Sequence, residues 1–128
     1  MILADTSIWV DHFRAANSKL HALIANGRVL MHPFVIAEVA LGSLSQRRLK
    51  LMLMEKLLQV KVADTVEVRR MIEAHTLFSR GIGFVDAHLL ASCLLTPGTR
   101  LWTRDARLAG TARLLKCEAQ IPEPRPIN

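Results

Sequence analysis

The sequence predicts an α/β sandwich with a central, mostly parallel sheet of about four to five short strands flanked by helices. Three observations carry that expectation. Ile2-Leu3-Ala4 and Leu101-Trp102-Thr103 are short apolar runs without polar alternation, the pattern of strands buried on both faces. Segments with helix caps and stop signals alternate with such runs along the chain. Each of these two strands is followed by an acid, Asp5 or Asp105, and then by a helix. This places carboxylates just beyond the carboxyl ends of strands, where open α/β sheets keep their chemistry.

Composition sets the frame for those elements. A chain of 128 residues is long enough for one core and too short for two, so residues 1–120 read as one domain. Residues 121–128, with three prolines, read as an extended tail. No apolar stretch approaches the ~20 residues of a membrane span. There is no basic leader at the N-terminus, and Asp5 interrupts any signal-peptide core, so a soluble, cytoplasmic protein is expected. Cys93 and Cys117 match no zinc spacing and read as core cysteines of a reducing compartment. The net charge of +6, mainly arginine, suits a polyanionic partner and phosphate in particular. So apolar and small a chain is also expected to bury surface against another subunit or partner.

Taken in order, the strand at Ile2–Ala4 leads into a helix from Ser7 to about Phe13. A second helix runs from Ser18 to Asn26, stopped by Gly27, before a strand at Val29–Met31. His32-Pro33 opens a helix to Gly42, since proline's missing N–H costs nothing in a first turn. Leu44 to Leu58 is amphipathic helix, with Arg47, Arg48, Lys50, Glu55 and Lys56 on its wet side. Val60–Val62 reads as a brief strand, and Asp64-Thr65-Val66-Glu67 as a capping box opening a helix to about Ser79. Val68, Met71, Ile72, His75 and Phe78 form its stripe, which makes His75 a packed or rim residue. A Gly81-Ile82-Gly83 turn precedes a helix from Val85 to Leu95. After the Leu101–Thr103 strand come a short helix to about Gly110 and a possible edge strand at Leu114–Cys117.

Four acids stand out from this pattern. Glu38 is the one polar side chain between Phe34 and Leu41, so it is expected to be buried between sheet and helices. Such a carboxylate needs a cation or a strong donor, and an ion pair with an arginine would be a purely structural answer. Asp86 lies in a first helical turn among apolar residues, where the helix dipole alone would also favour it. His88, nearby, reads as a rim residue without catalytic work. Asp5 and Asp105 share the strand, acid, helix arrangement, for which N-capping is the structural alternative. Thr103 stands two residues before Asp105 on the same strand face and could orient a carboxylate. Four carboxylates within ~5 Å would repel by roughly 3 kcal/mol per pair at an effective dielectric of about 20. A divalent cation reverses that sign, and oxygen-only donors select Mg²⁺ or Mn²⁺.

Ile2 to Asp11, Ile36 to Gly42, Phe84 to Ala87 and Leu101 to Asp105 together resemble the PIN-domain nucleases, specifically the VapC-type toxins of bacterial toxin–antitoxin pairs. The resemblance runs from Met1 to about Gly110 and implies a PIN-like three-layer sandwich. It further implies a Mg²⁺- or Mn²⁺-dependent endoribonuclease, a homodimer, and inhibition by a cognate VapB-type antitoxin. The family's metal-coordinating acids fall on Asp5, Glu38, Asp86 and Asp105; its supporting hydroxyls fall on Ser7 or Thr6 and on Thr103. Arg14, Arg80, Arg104 and Arg107 are candidate contacts to RNA phosphates. Residues 44–79 match no functional position. Two other classes compete. A phosphoacceptor receiver would need paired acids at the first strand's end, and Asp5 has no acidic neighbour. A non-catalytic RNA-binding module would gain nothing from clustered acids facing phosphates.

Overall fold

The structure is a computed structural model and describes residues 1–122. Eleven elements follow one another: β1 (Ile2–Ala4), α1 (Thr6–Arg14), α2 (Ser18–Ala25), β2 (Val29–Met31), α3 (Pro33–Leu41), α4 (Arg47–Glu55), β3 (Leu58–Gln59), α5 (Thr65–Ala74), α6 (Phe84–Leu95), β4 (Arg100–Trp102) and α7 (Ala106–Leu114). The strands form one sheet in the order β3-β2-β1-β4, and every pairing is parallel. The α/β sandwich predicted from alternating strands and helices is the fold observed. From residue 123 onward, the expected tail lies outside the described residues.

Apolar continuity explains the centre of the sheet. Leu3 pairs with Leu30 on one side and with Leu101 on the other, and Leu3 and Ala4 are wholly buried. Ile8 of α1, Met31 of β2, Leu89 and Leu90 of α6 and Leu108 of α7 close the same core. Burying each such side chain is worth about 1.5–3 kcal/mol. α1, α3 and α4 pack in succession, α5 packs on α6, and both α6 and α7 lie against β4. Among the described residues no helix is long and apolar enough to cross a membrane.

Several boundaries differ from the sequence expectation. β3 falls at Leu58–Gln59 rather than Val60–Val62, because Leu30 and Met31 of β2 fix the register there. Val60 still donates its N–H to Met31 O at 2.9 Å, but the ladder goes no further. α4 is shorter than the predicted Leu44–Leu58 helix, starting after Gln46, whose φ of 50° lies in the left-handed region. α5 stops at Ala74 with His75 as its C-cap, and Thr76 turns at φ 54°. That break takes Phe78 off the apolar stripe and out to solvent, and Leu77 is buried instead. The edge strand expected at Leu114–Cys117 is absent. α7 runs through Gly110 to Leu114, Lys116 turns at φ 60°, and Glu118 alone bridges to Leu101.

Candidate active site

Asp5 anchors the site and is placed by β1. Its N–H pairs with Trp102 O at 3.0 Å, so the side chain emerges where β1 and β4 end together. Oδ1 accepts the N–H of Ile8 at 3.2 Å, making Asp5 the N-cap of α1, and also accepts the Ser7 hydroxyl at 2.5 Å. Thr103 donates its hydroxyl to Oδ2. The N-cap of α1 and the candidate ligand are therefore the same carboxylate. Burial is severe enough to push the Asp5 carboxyl above its ordinary value, although Ser7, Thr103 and the Ile8 N–H all pull it down.

Asp105 repeats the arrangement one strand away. Its Oδ1 accepts from the N–H groups of Arg107 at 2.9 Å and Leu108 at 3.1 Å, capping α7. Its own N–H is held by Thr103 Oγ1 at 3.0 Å, so Thr103 joins Asp5 to Asp105. Truncating Asp105 to alanine is expected to lower stability by about 1 kcal/mol in urea denaturation, and asparagine by only a few tenths. Equal losses from both substitutions would remove the cap from this account.

Asp86 is half-buried in the first turn of α6 and accepts the N–H of Gly83 at 3.1 Å. Glu38 corrects the sequence expectation, because it is exposed rather than buried between sheet and helices. α3 is apolar nearly all round, but only Val35 and Val39 are fully covered, and Leu41 is 89% exposed. The isolation of Glu38 on its helix thus reflects an apolar face left uncovered, not immersion in the core. Thr6 holds it by donating to Oε1 at 2.6 Å. The two candidate hydroxyls at the start of α1 have divided the work: Ser7 serves Asp5, and Thr6 serves Glu38.

Asp86 feels the other three acids. The Asp86 carboxyl is raised first by burial and then by the charges of Asp105, Asp5 and Glu38, against the pull of the Gly83 N–H. No ion pair among the described residues neutralises any of the four; those present join Arg104 to Asp11 and Arg113 to Glu118. The structural answer weighed for Glu38, an arginine partner, is not found among the described residues. Among the described residues no three of these groups close into a ready-made ligand shell. The site fits a hard divalent ion in donor chemistry and in charge, since Mg²⁺ keeps several waters and takes only one or two carboxylates directly.

The candidate phosphate-binding arginines are all exposed, with different tethers. Arg104 pairs with Asp11 at 2.7 Å, and Arg80 Nε donates to Thr76 O at 2.9 Å. The Arg107 side chain lies across Gly81, where an added Cβ would meet its Cδ at 2.7 Å. Arg14, Lys50 and Glu38 line a cleft of about 360 Å³ with Phe13 and Leu44. Sequence reasoning missed Asp11 as the anchor of Arg104. It also misplaced His88, which is buried with neither ring nitrogen partnered, packed among Phe34, Phe84 and His32. The signal was present: the Ala87–Cys93 run is buried on every side, as expected of a helix apolar all round.

This parallel sheet carries acids at the β1–α1 junction, on α3 and α6 and at the β4–α7 junction, and the PIN domain model matches residues 2–114. The chain belongs to the PIN domain family. Within it, the relatives are of VapC type. The chain is 48% identical over 108 residues to Ribonuclease VapC32 of Mycobacterium tuberculosis (strain CDC 1551 / Oshkosh), covering 84% of this chain and 87% of the relative. The Ribonuclease VapC32 of strain ATCC 25618 / H37Rv matches to the same extent.

Proposed function

We propose that the protein is a metal-dependent endoribonuclease, the toxin of a type II toxin–antitoxin module, hydrolysing RNA phosphodiesters. One observation carries this reading: carboxylates from separate elements act together on Asp86, which feels the charges of Asp105, Asp5 and Glu38, and no ion pair among the described residues neutralises any of the four. The ribonuclease name of the VapC32 relatives supports it.

Asp5, Glu38 and Asp86 would hold Mg²⁺ or Mn²⁺, with Asp105 assisting that ion or a second one. Bound there, a divalent ion supplies Lewis-acid chemistry: a more acidic water and stabilisation of the charge that develops on phosphate. The chain's own residues prepare the place. Ser7 and Thr103 fix both oxygens of Asp5, and Thr6 fixes Glu38, so the ligand side chains lose little freedom on binding. Arg14, Arg80, Arg104 and Arg107 hold RNA phosphates around the acidic centre, and the net charge of +6 draws the polyanion in. A homodimer and a VapB-type antitoxin complete the proposal. Exposed apolar side chains such as Leu41, Leu53, Val66 and Leu94 are the kind of surface such partners cover.

The test is incubation of the purified protein with total RNA, with Mg²⁺ or Mn²⁺ and with EDTA, followed by mapping of new 5′ ends. Cleavage at discrete sites that needs the metal is the expected outcome. Equal RNA binding in metal and in EDTA, with the RNA left intact, would make the domain a binding module.

A further inference from the structure

Glu38 belongs to two places at once. Its Oε1 is held by Thr6, the residue after Asp5, and the same residue lines the cleft of about 360 Å³ between α1, α3 and the start of α4. Phe13 and Leu44 give that cleft an apolar wall, Arg14 and Lys50 its charge, and Ser45 a hydroxyl. Neither cation forms an ion pair among the described residues. The turn between α3 and α4 is held in shape, because the Arg47 guanidinium donates to the carbonyls of Ala40 and Gly42. The Phe13 ring is braced by Trp9 and His12, at 5.6 and 5.8 Å between centroids. Lys50 Nζ lies 5.3 Å from the Phe13 centroid and donates to Ser45 Oγ at 3.0 Å, so one ring face looks into the cleft rather than into the core.

We propose that this cleft is a subsite for one unpaired RNA nucleotide next to the scissile phosphate, its base stacked on Phe13 and its phosphate held by Arg14 and Lys50. The proposal rests on the nuclease reading and adds a substrate class to it, RNA that is single-stranded at the cut. Three features favour a nucleotide over other occupants. An aromatic face beside cations is the combination that binds single strands, whose bases stack while their phosphates meet positive charge. The volume lies at the low end of ligand sites, about 300–1,000 Å³, which suits one nucleotide and not a helix. Glu38 joins the cleft to the acid centre, so a strand with a phosphate at the acids has a neighbouring nucleotide at the cleft. An apolar peptide segment would use the Phe13 and Leu44 wall but leave Arg14 and Lys50 without a counter-charge.

On binding, the base takes the ring face that the ammonium now covers, and Lys50 swings on its flexible stem to the phosphate. A paired base keeps its faces inside the helix, so a duplex cannot make this contact. Every base has a π-face, so the subsite asks for an unpaired base more than for a particular one.

The experiment compares the wild type with Phe13→Leu, which keeps an apolar side chain and removes the aromatic face. Binding is read by fluorescence anisotropy in EDTA, on a short single-stranded RNA of mixed sequence and on the same sequence as a duplex. Cleavage is read with Mg²⁺ or Mn²⁺ on a stem-loop RNA series carrying one abasic ribose at each loop position in turn. Phe13→Leu should bind the single strand about 10-fold more weakly and the duplex as the wild type does. Wild-type cleavage should fall about 10-fold for an abasic ribose at one position flanking the cut, and Phe13→Leu should lose that sensitivity. Lys50→Gln should reduce the salt slope of single-strand binding by about 0.7, and an unchanged slope would strike Lys50 from the subsite. The subsite is overturned if Phe13→Leu binds and cuts as the wild type does, or if no abasic position matters; the nuclease reading then stands. If self-association alone changes in that variant, a second copy of the chain covers the cleft, which equally overturns the subsite. A wild type that cuts no RNA with either metal refutes the nuclease reading instead, and the binding in EDTA alone then says whether the cleft takes a base. Should Phe13→Leu fail to fold, the abasic series on the wild type decides.

Discussion

Asp5→Asn is expected to lower the proposed RNA cleavage by at least about 100-fold in a protein as stable as the wild type. The bound is set by the losses of about 10–100-fold seen when mere outer partners of metal ligands are removed. Folding survives because asparagine caps helices as well as aspartate does, so the Ile8 N–H keeps its acceptor at Oδ1. Thr103 can turn its hydroxyl to accept rather than donate. Burial has already raised the Asp5 carboxyl, so the charged form is a strain that the neutral amide relieves. Function and stability are thus expected to part company at this residue, as they do where a site is built at the fold's expense. Cleavage at saturating Mg²⁺, measured beside a thermal melt, checks both halves. Wild-type cutting by a well-folded variant would take Asp5 out of the site.

Acid is expected to destabilise the protein through His32, by about 3 kcal/mol between pH ~6.5 and ~4. The ring is fully buried at the start of α3, its Nδ1 accepts the Phe34 N–H at 3.0 Å, and Nε2 has no partner. Burial, and secondarily the neighbouring His88, push its pKa down from 6.5 to about 4. The folded value lies below the unfolded one, so the unfolded chain takes up the proton first as pH falls. The stability present above about 6.5 is lost progressively down to about 4, and no further below that. Asp5 and Asp86 act in the opposite direction, because their raised carboxyls favour the folded state on protonation. Comparison with His32→Asn isolates the histidine, since asparagine keeps the cap at Phe34 and does not titrate. The wild type's stability relative to this variant, from urea melts at a series of pH values, should fall through that window. A flat difference would mean that the ring gains a proton in the fold without penalty.

Local rules read much of this chain correctly. The Asp64–Glu67 capping box is present with both of its hydrogen bonds, at 2.7 and 3.1 Å. Pro33 opens α3, and the apolar runs at Ile2 and Leu101 are adjacent parallel strands. These features depend on residues within one or two turns of each other, or on strand burial that leaves a continuous apolar trace. The four family segments were equally legible, since each is a contiguous string.

Other outcomes hung on contacts that no window contains. The bond from Thr103 to Asp5 spans 98 positions, and that from Thr6 to Glu38 spans 32. Periodicity marked α3 as apolar, yet it could not say which of its faces would be covered, so Glu38 emerged exposed and His88 sank into the core. The capping alternative posed for Asp5 and Asp105 is what the structure shows, and a cap leaves each residue's second carboxylate oxygen on the side of the candidate site.

What the sequence by itself determined was the set of parts: parallel strands ending in acids, the helices that follow them, and a chemistry restricted to hard oxygen donors. What only the tertiary structure decided was their company, namely which hydroxyl steadies which acid and which histidines are dry. The physical reason is range. Backbone propensity and capping act over a few residues, whereas burial and side-chain partnership depend on the packing of elements far apart in the chain.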